Sequence, residues 1–302
     1  MKNEFEVLII GGSYAGLSAA MALGRSMRQV LVMDSGKPCN RFTPHSHNFI
    51  THDGEAPAKI VRKARRQVER YDTVHFYEGL AVEGMKNETG FEVKTQSGEV
   101  FFGKKIIFAT GIRDLLPDIP GLAECWGKTI IHCPYCHGYE FRGQKTGIWA
   151  NGQRAFHLAT LVKNLTDDLT LLTSGKADFD ETQLAKLNKH GIEIIETEIA
   201  KIELDGGKIE SVIFKHGGKS AFQALYAAVP FAQHSDIPAS LGCELTEHGY
   251  LRVDPFQQTT VEGVFACGDN SSMMRSLANA VATGNLVGAV VNGKLSEEFF
   301  TK

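Results

Sequence analysis

The stretch from Ile130 to Glu140 reads I-I-H-C-P-Y-C-H-G-Y-E, and its centre, Cys133-Pro134-Tyr135-Cys136-His137, fits three chemistries. C-x-x-C-H attaches haem, a C-x-x-C can be half of a zinc site, and a close cysteine pair can be a redox dithiol. Zinc needs further ligands, yet no second C-x-x-C exists, and His132 and His137 are poorly spaced for a tetrahedron. Haem attachment calls for machinery that a cytosolic protein does not meet, and a buried, inert pair is the bland alternative. The residues around the pair favour the redox reading. Pro134 suits the first turn of a helix, where its missing N–H has no intrahelical partner. Cys133 then lies at the helix start and Cys136 one turn deeper, and Gly138 could end the helix. Unpaired N–H groups at such a start stabilise a thiolate, so its pKa should fall below the free value of about 8.5. His137, with an ordinary pKa of about 6.5, can carry a proton near neutrality.

The elements that must position this pair begin almost at residue 1. Glu6-Val-Leu-Ile-Ile10 is a short apolar run, Gly11-Gly12-Ser13-Tyr14-Ala15-Gly16 is a glycine-rich turn, and Ala15 to Leu23 has helical spacing. A second apolar run, Gln29 to Met33, ends on Asp34. This is strand, turn, helix, strand, acid, a βαβ unit with a dinucleotide fingerprint in which Ser13 replaces the second glycine. Gly11 makes the tight turn, Gly16 lets helix and strand pack closely, the helix N-terminus receives a pyrophosphate, and Asp34 is placed for a ribose hydroxyl.

Residues 34 to 57 are loop-like and hold His45, His47, His52 and Asp53 at uneven spacing, which favours contacts to a bound cofactor over a metal. A helix is expected over 58–71, strand over 74–82, and two alternating strands over 91–110 around Ser97-Gly98. The last of these ends in Ala109-Thr110-Gly111, before a domain boundary near 113–120. A second βαβ follows, with strands at 146–150 and 169–172 and a helix to about Leu165. Its fingerprint is poor, since Ala150 stands where the first glycine belongs. A late strand ends in Gly268-Asp269, and a helix starts at about Met274 to Leu277; an acid followed by a helix N-terminus can hold a sugar-like group and polarise a carbonyl.

With 32 Lys+Arg against 35 Asp+Glu over 302 residues, nothing in the bulk charge points to nucleic acid or an anionic membrane. The basic run Arg62 to Arg66 reads as a solvated helix face. No run of about 18 apolar residues exists, so no membrane span is expected. Glu4, Glu6 and the glycines interrupt what could pass for a signal peptide, which suggests a cytoplasmic location. There a close cysteine pair is more often catalytic than structural. The other four of the six cysteines, Cys39, Cys125, Cys243 and Cys267, are isolated and read as small packing residues.

In this order, the glycine-rich βαβ, Ala109-Thr110-Gly111, mid-sequence C-x-x-C, second βαβ and Gly268-Asp269 resemble the low-molecular-weight thioredoxin reductases, over essentially the whole length. The resemblance implies an α/β fold of two Rossmann-like (βαβ) nucleotide-binding domains, the second inserted into the first. An FAD domain would comprise 1–113 and 236–302, and residues 114–235 would carry the redox pair on a degenerate NADPH-type fold, in a homodimer. It places FAD on Gly11, Gly12, Ser13, Ala15, Gly16 and Asp34, then on Asn40, Arg41, Asn48 and Val82. Ala109, Thr110, Gly111, Gly268 and Asp269 complete the set, with the flavin ring facing Arg275, Ser276 and Leu277. Cys133 would be the outer sulfur that meets substrate, and Cys136 the inner one.

Two departures set this sequence apart. His137 stands where those reductases keep an Asp, and the second βαβ lacks both G-x-G-x-x-A and an arginine pair for NADPH. Both features look more like the related FAD-dependent dithiol oxidases, with C-x-x-C-H and an eroded nicotinamide site. The expected function is FAD-dependent thiol–disulfide exchange through Cys133, Cys136 and His137, independent of NADPH, with no metal. It would be a dithiol oxidase using oxygen, or a disulfide reductase with another donor, acting on a small molecule or a thioredoxin-like protein. An NADPH-dependent thioredoxin reductase and a flavin-binding redox sensor with little turnover are the alternatives.

Overall fold

The computed structural model describes residues 3–301. The protein divides into two compact units, one of residues 1–41, 57–113 and 231–302, the other of 42–56 and 114–230. In sequence order the first unit contains β1 (Glu4–Ile10), α1 (Tyr14–Arg25), β2 (Val30–Asp34), α2 (Pro57–Val68), β3 (Val74–Glu78), β4 (Ala81–Asn87), β5 (Gly90–Thr95) and β6 (Val100–Phe108). After β7 (Ile112–Asp114) come the elements of the second unit: α3 (Leu122–Cys125), β8 (Ile130–Ile131), α4 (Pro134–His137), β9 (Thr146–Trp149), α5 (Gly152–Val162) and β10 (Leu169–Leu172). That unit continues with α6 (Glu181–Lys189), β11 (Glu193–Ile195), β12 (Ile199–Asp205), β13 (Lys208–Phe214), β14 (Lys219–Ala221) and β15 (Ala224–Ala227). The backbone returns to the first unit through β16 (Phe231–Gln233), α7 (Ile237–Ser240), β17 (Val264–Ala266) and α8 (Leu277–Phe300).

The expected α/β architecture is present. In the first unit a sheet runs β3-β2-β1-β6-β5-β4, with β17 also on β6. β3, β2, β1, β6 and β17 are parallel, while β5 and β4 add an antiparallel meander. β1 and β2 are buried on both faces, which is why they read as unbroken apolar runs rather than alternating ones. The register sets Ile10 opposite both Met33 and Phe108, and Phe108 opposite Ala266. Four strand ends therefore align at one edge of the sheet, at the point where β1 has its sequence neighbour on one side and a distant strand on the other. Ligands of open α/β sheets bind at this switch point.

One strand expected over 74–82 is two, because the backbone turns at Gly79, whose N–H donates to the Asp34 carbonyl, before β4 starts antiparallel to β5. α1 lies against α8 through small residues. A Cβ on Gly284 would sit 2.2 Å from the Ala15 carbonyl oxygen, and one on Gly288 would sit 2.8 Å from that of Ala19. Both glycines are thus required by backbone approach rather than by turn geometry.

The second unit has its own parallel sheet, β11-β10-β9-β15-β8, and an antiparallel ribbon, β12-β13-β14. Its buried clusters centre on Trp126, Phe222 and Leu225 on one side and on Ile148, Leu171 and Tyr226 on the other. Among the described residues no helix is long and apolar enough to cross a membrane.

Candidate functional site

At the aligned edge of the first unit a groove is lined by Gly11, Gly12, Ser13, Asp34, Ala109 and Thr110. The glycine turn is pressed against the neighbouring strand ends. Gly11 has φ +109°, and a Cβ there would lie 2.2 Å from the Ala109 carbonyl oxygen; one on Gly12 would lie 2.7 Å from the Asp34 Cβ; one on Gly16 would overlap the Gly11 carbonyl. Only glycine permits this packing. Ser13 is the N-cap of α1 with extended backbone, and its hydroxyl makes no capping hydrogen bond. No acid occupies the first turn, so the N–H groups of that turn face no carboxylate of their own helix.

The other residues expected at a cofactor sit as follows. Gly268 packs on Ala15, with a would-be Cβ 3.0 Å from the Ala15 Cβ, and its N–H donates to Thr283 Oγ1. Asn40 Nδ2 donates to the Tyr14 hydroxyl, and Arg41 is exposed and donates to the Pro38 carbonyl. Arg275 Nη2 donates to Cys39 Sγ at 3.3 Å, Ser276 caps α8 by accepting from the Asn279 N–H, and Leu277 opens that helix. Asp269 and Gly111 follow β17 and β6 at the same edge, and Val82 is exposed on β4. None of these residues, nor Ala15 and Gly16, lines the groove itself. Asn48 lies in the 42–56 segment of the second unit.

Groove residues missed in the sequence include Ser35, Lys37, Pro38, Gly79, Leu80, Ala81, His234 and Ser235. Gly79 was the readable one, as a breaker inside an apolar run. Asn270 was also missed. It is fully buried, its Nδ2 donates to the Phe108 carbonyl and to Thr110 Oγ1, and its Oδ1 has no hydrogen-bond partner.

In the second unit Cys133 and Cys136 form a disulfide with a Cα–Cα distance of 5.3 Å. Cys133 is the N-cap of α4, its Sγ accepting from the Cys136 N–H at 3.2 Å, and Pro134 is at the first helical position. The pair follows directly from β8, the edge strand. Gly138 ends the helix as its C-cap, with right-handed geometry, and leads into a 3₁₀ turn, Tyr139–Phe141. It is glycine because a Cβ would strike Leu165 Cδ1 and the Pro134 carbonyl oxygen, each at 2.4 Å.

His137 is half-buried beside the pair, and its pKa is pushed down to about 4 by burial first and by His47 second, with Glu140 acting the other way. It is therefore a neutral imidazole around neutrality while the pair is oxidised. This corrects the expectation of a histidine poised at its ordinary pKa. The cause is the removal of water, which disfavours the imidazolium.

The second fingerprint is not merely incomplete. Gly152, at φ +58°, opens α5, and the Asn151 side chain accepts from the N–H groups of Gly152 and Asp178 and donates to the Lys176 carbonyl. An Asp178 carboxylate oxygen lies 3.3 Å from where a Cβ of Gly152 would be. The start of α5 is thus tied by Asn151 to the 176–178 loop.

Over residues 5–284 the sequence matches the Pyridine nucleotide-disulphide oxidoreductase family. The chain belongs to that family. It is 35% identical to Thioredoxin reductase tcpT of Claviceps purpurea, across 97% of this chain and 95% of that one. It is 32% identical to Thioredoxin reductase sirT of Leptosphaeria maculans, across 95% and 93%. The crystal structure of the oxidoreductase from Agrobacterium tumefaciens superposes with a TM-score of 0.90 at 38% identity, covering 97% of this chain and 98% of that one.

As a pyridine nucleotide-disulphide oxidoreductase of the thioredoxin reductase-like type, the protein is an enzyme of the flavin disulfide oxidoreductase class, whose members bind FAD. The first unit suits that cofactor. A pyrophosphate requires exposed backbone N–H groups at a helix start without a competing acid, and a turn with no Cβ in the way. α1 has no acid in its own first turn, Gly11 and Gly12 leave the turn without Cβ atoms, and the nearby Asp34 carboxylate is placed for a ribose hydroxyl.

Proposed function

We propose that this enzyme exchanges two electrons between a dithiol or disulfide substrate and FAD through Cys133 and Cys136, without drawing on NADPH. The observation that carries this reading is Asp178 over the start of α5. In a nicotinamide domain that helix start must accept a pyrophosphate. Here the Asn151 side chain is committed to the 176–178 loop and a carboxylate oxygen of the exposed Asp178 lies 3.3 Å from where a Cβ of Gly152 would be, so an incoming phosphate would meet like charge. At the start of α1 the acid is Asp34, which ends β2 in the place for a ribose hydroxyl, and Gly11 and Gly12 keep Cβ atoms out of the turn.

Residues Gly11, Gly12, Ser13, Asp34, Ala109 and Thr110 would hold FAD, which supplies a two-electron acceptor when bound. The protein's own residues do the exchange. A substrate thiolate attacks Cys133 Sγ, the Cys133–Cys136 bond breaks, and Cys136 leaves as a thiolate held near the start of α4. The second substrate thiolate attacks the substrate sulfur of the mixed disulfide and releases Cys133. The substrate has then lost two electrons and two protons and the pair has gained the electrons. His137, neutral beforehand, accepts one of the protons. In the reducing direction the same steps run backwards.

The names of the relatives support a second reading, an NADPH-dependent reductase whose nucleotide loop rearranges. Anaerobic stopped-flow separates the two. With NADPH, NADH or dithiothreitol as the sole donor, bleaching of the flavin band is expected from dithiothreitol alone, with peroxide formed on admission of air. Fast bleaching by NADPH would falsify the proposal.

A further inference from the structure

His47 was read in the sequence only as one of several loop histidines. Residues 46 to 55 form a closed loop, tied by a bridge in which the Ser46 N–H donates to the Glu55 carbonyl and the Gly54 N–H to the Ser46 carbonyl, both at 2.8 Å. The Asn48 N–H donates to Asp53 Oδ1 at 2.8 Å, which fixes that carboxylate inside the loop. His47 Nδ1 faces the same Asp53 oxygen at 3.6 Å, and His47 Nε2 faces Glu140 Oε1 at 3.6 Å. The ring stands edge-on to His137, with centroids 6.4 Å apart and planes at 87°. A neutral imidazole has one N–H and can serve only one of two carboxylates; the imidazolium serves both. His47 thus faces a carboxylate on each side, next to a histidine that must take up and release a proton.

We propose that His47, clamped between Asp53 and Glu140, is a positioning residue that acts through His137 and controls when the Cys133–Cys136 pair exchanges. This rests on the reading of that pair as the reacting disulfide. A charge on His47 opposes a second charge on His137, and Glu140, three residues further along, favours one. His137 is thus held unprotonated until a thiol delivers a proton, while Glu140 keeps the proton from being refused. Cys133 and Cys136, joined as a disulfide, do not titrate; Tyr226 on β15 has its hydroxyl 3.0 Å from where a Cβ of Gly138 would be, and α5, which packs against α4, carries Arg154 and His157. Behind His47 stands His45, whose Nδ1 pairs with the Gly54 carbonyl oxygen. Arg142, on the far side of Glu140, donates to the Tyr139 carbonyl oxygen.

The test is NMR titration of the oxidised holoenzyme labelled at histidine Cε1, with the His137 resonance assigned by its loss in His137→Gln. In His47→Gln the His137 midpoint should rise by about one pH unit or more, the scale of a like charge removed at this separation in a partly solvated site. Asp53→Asn, at an exposed position, should move it the same way by weakening the clamp. Glu140→Gln should leave it no higher than in the wild type. Mere loosening of the loop would instead carry all three variants toward the solvent value of about 6.5. An unmoved midpoint in His47→Gln, or an equal rise in Glu140→Gln, overturns the proposal. Whether dithiothreitol bleaches the wild-type flavin in a Cys136-dependent way is scored separately. Failure there removes the dithiol reading, while bleaching with an unmoved midpoint removes only the role of His47.

Discussion

Lowering the pH from about 7 to about 5 should destabilise the second unit through one side chain, His137. Its pKa is about 4 in the folded protein, from burial beside the disulfide. Unfolding returns it to about 6.5. A histidine depressed in the native state binds fewer protons folded than unfolded, so its stabilising effect is complete above about 6.5 and is lost as the pH falls from there toward 4. At pH 5 the unfolded protein is almost fully protonated at this site and the native protein only about one-tenth so. The two binding polynomials then differ by about 2 kcal/mol, rising to about 3 kcal/mol at pH 4. The protein has two tryptophans, Trp126 and Trp149, and both belong to the second unit. Urea unfolding followed by tryptophan fluorescence therefore reports on the unit that holds His137, while flavin absorbance reports on the other. Other titrating groups cancel when the wild type is compared with His137→Gln at each pH. The wild type should lose about 2 kcal/mol more than the variant between pH 7 and pH 5. Parallel losses in the two proteins would refute the buried, neutral histidine.

Cys136→Ser should retain FAD and lose bleaching by dithiothreitol, followed at the flavin band; persistent turnover would move the exchange elsewhere. Gly284→Ala should lower stability by about 1–3 kcal/mol or more and loosen FAD, because its Cβ would meet the Ala15 carbonyl oxygen at 2.2 Å and push α8 off α1. Gly293→Ala on the same helix meets nothing within 4 Å and should gain about 0.5–1 kcal/mol, so thermal melts of the pair should diverge in sign. Gly11→Ala should yield soluble protein with little bound flavin, read as the ratio of flavin to protein absorbance, since the new methyl lands 2.2 Å from the Ala109 carbonyl oxygen.

What could be read in the sequence was what local rules determine. The first βαβ was legible because β1, β2 and the glycine turn each carry a pattern confined to a few residues, and Asp34 and Thr110 end apolar runs that had to be parallel strands. The Cys133–Cys136 helix start was legible because proline and the C-x-x-C spacing fix geometry within four residues. His47 and Glu140 were not, for they lie 93 positions apart, and the 42–56 segment has no periodicity to say which sheet it joins. The depressed pKa of His137 was equally hidden, since burial belongs to the assembled unit and not to the motif.

The second fingerprint shows why the same architecture can serve different chemistry. β9, its turn and α5 reproduce the strand, turn and helix of β1 and α1, and each unit has its switch point at the C-terminal ends of parallel strands. What differs is what faces the helix start. Neither helix has an acid in its first turn, but the α1 turn is stripped of Cβ atoms where the neighbouring strand ends approach. α5 begins with the Asn151 side chain bound to the Gly152 N–H and to the 176–178 loop, with an Asp178 carboxylate oxygen 3.3 Å from where a Cβ of Gly152 would be. The pattern of glycines could suggest that difference, but only the position of Asp178, 26 residues beyond Gly152, supplies its physical cause.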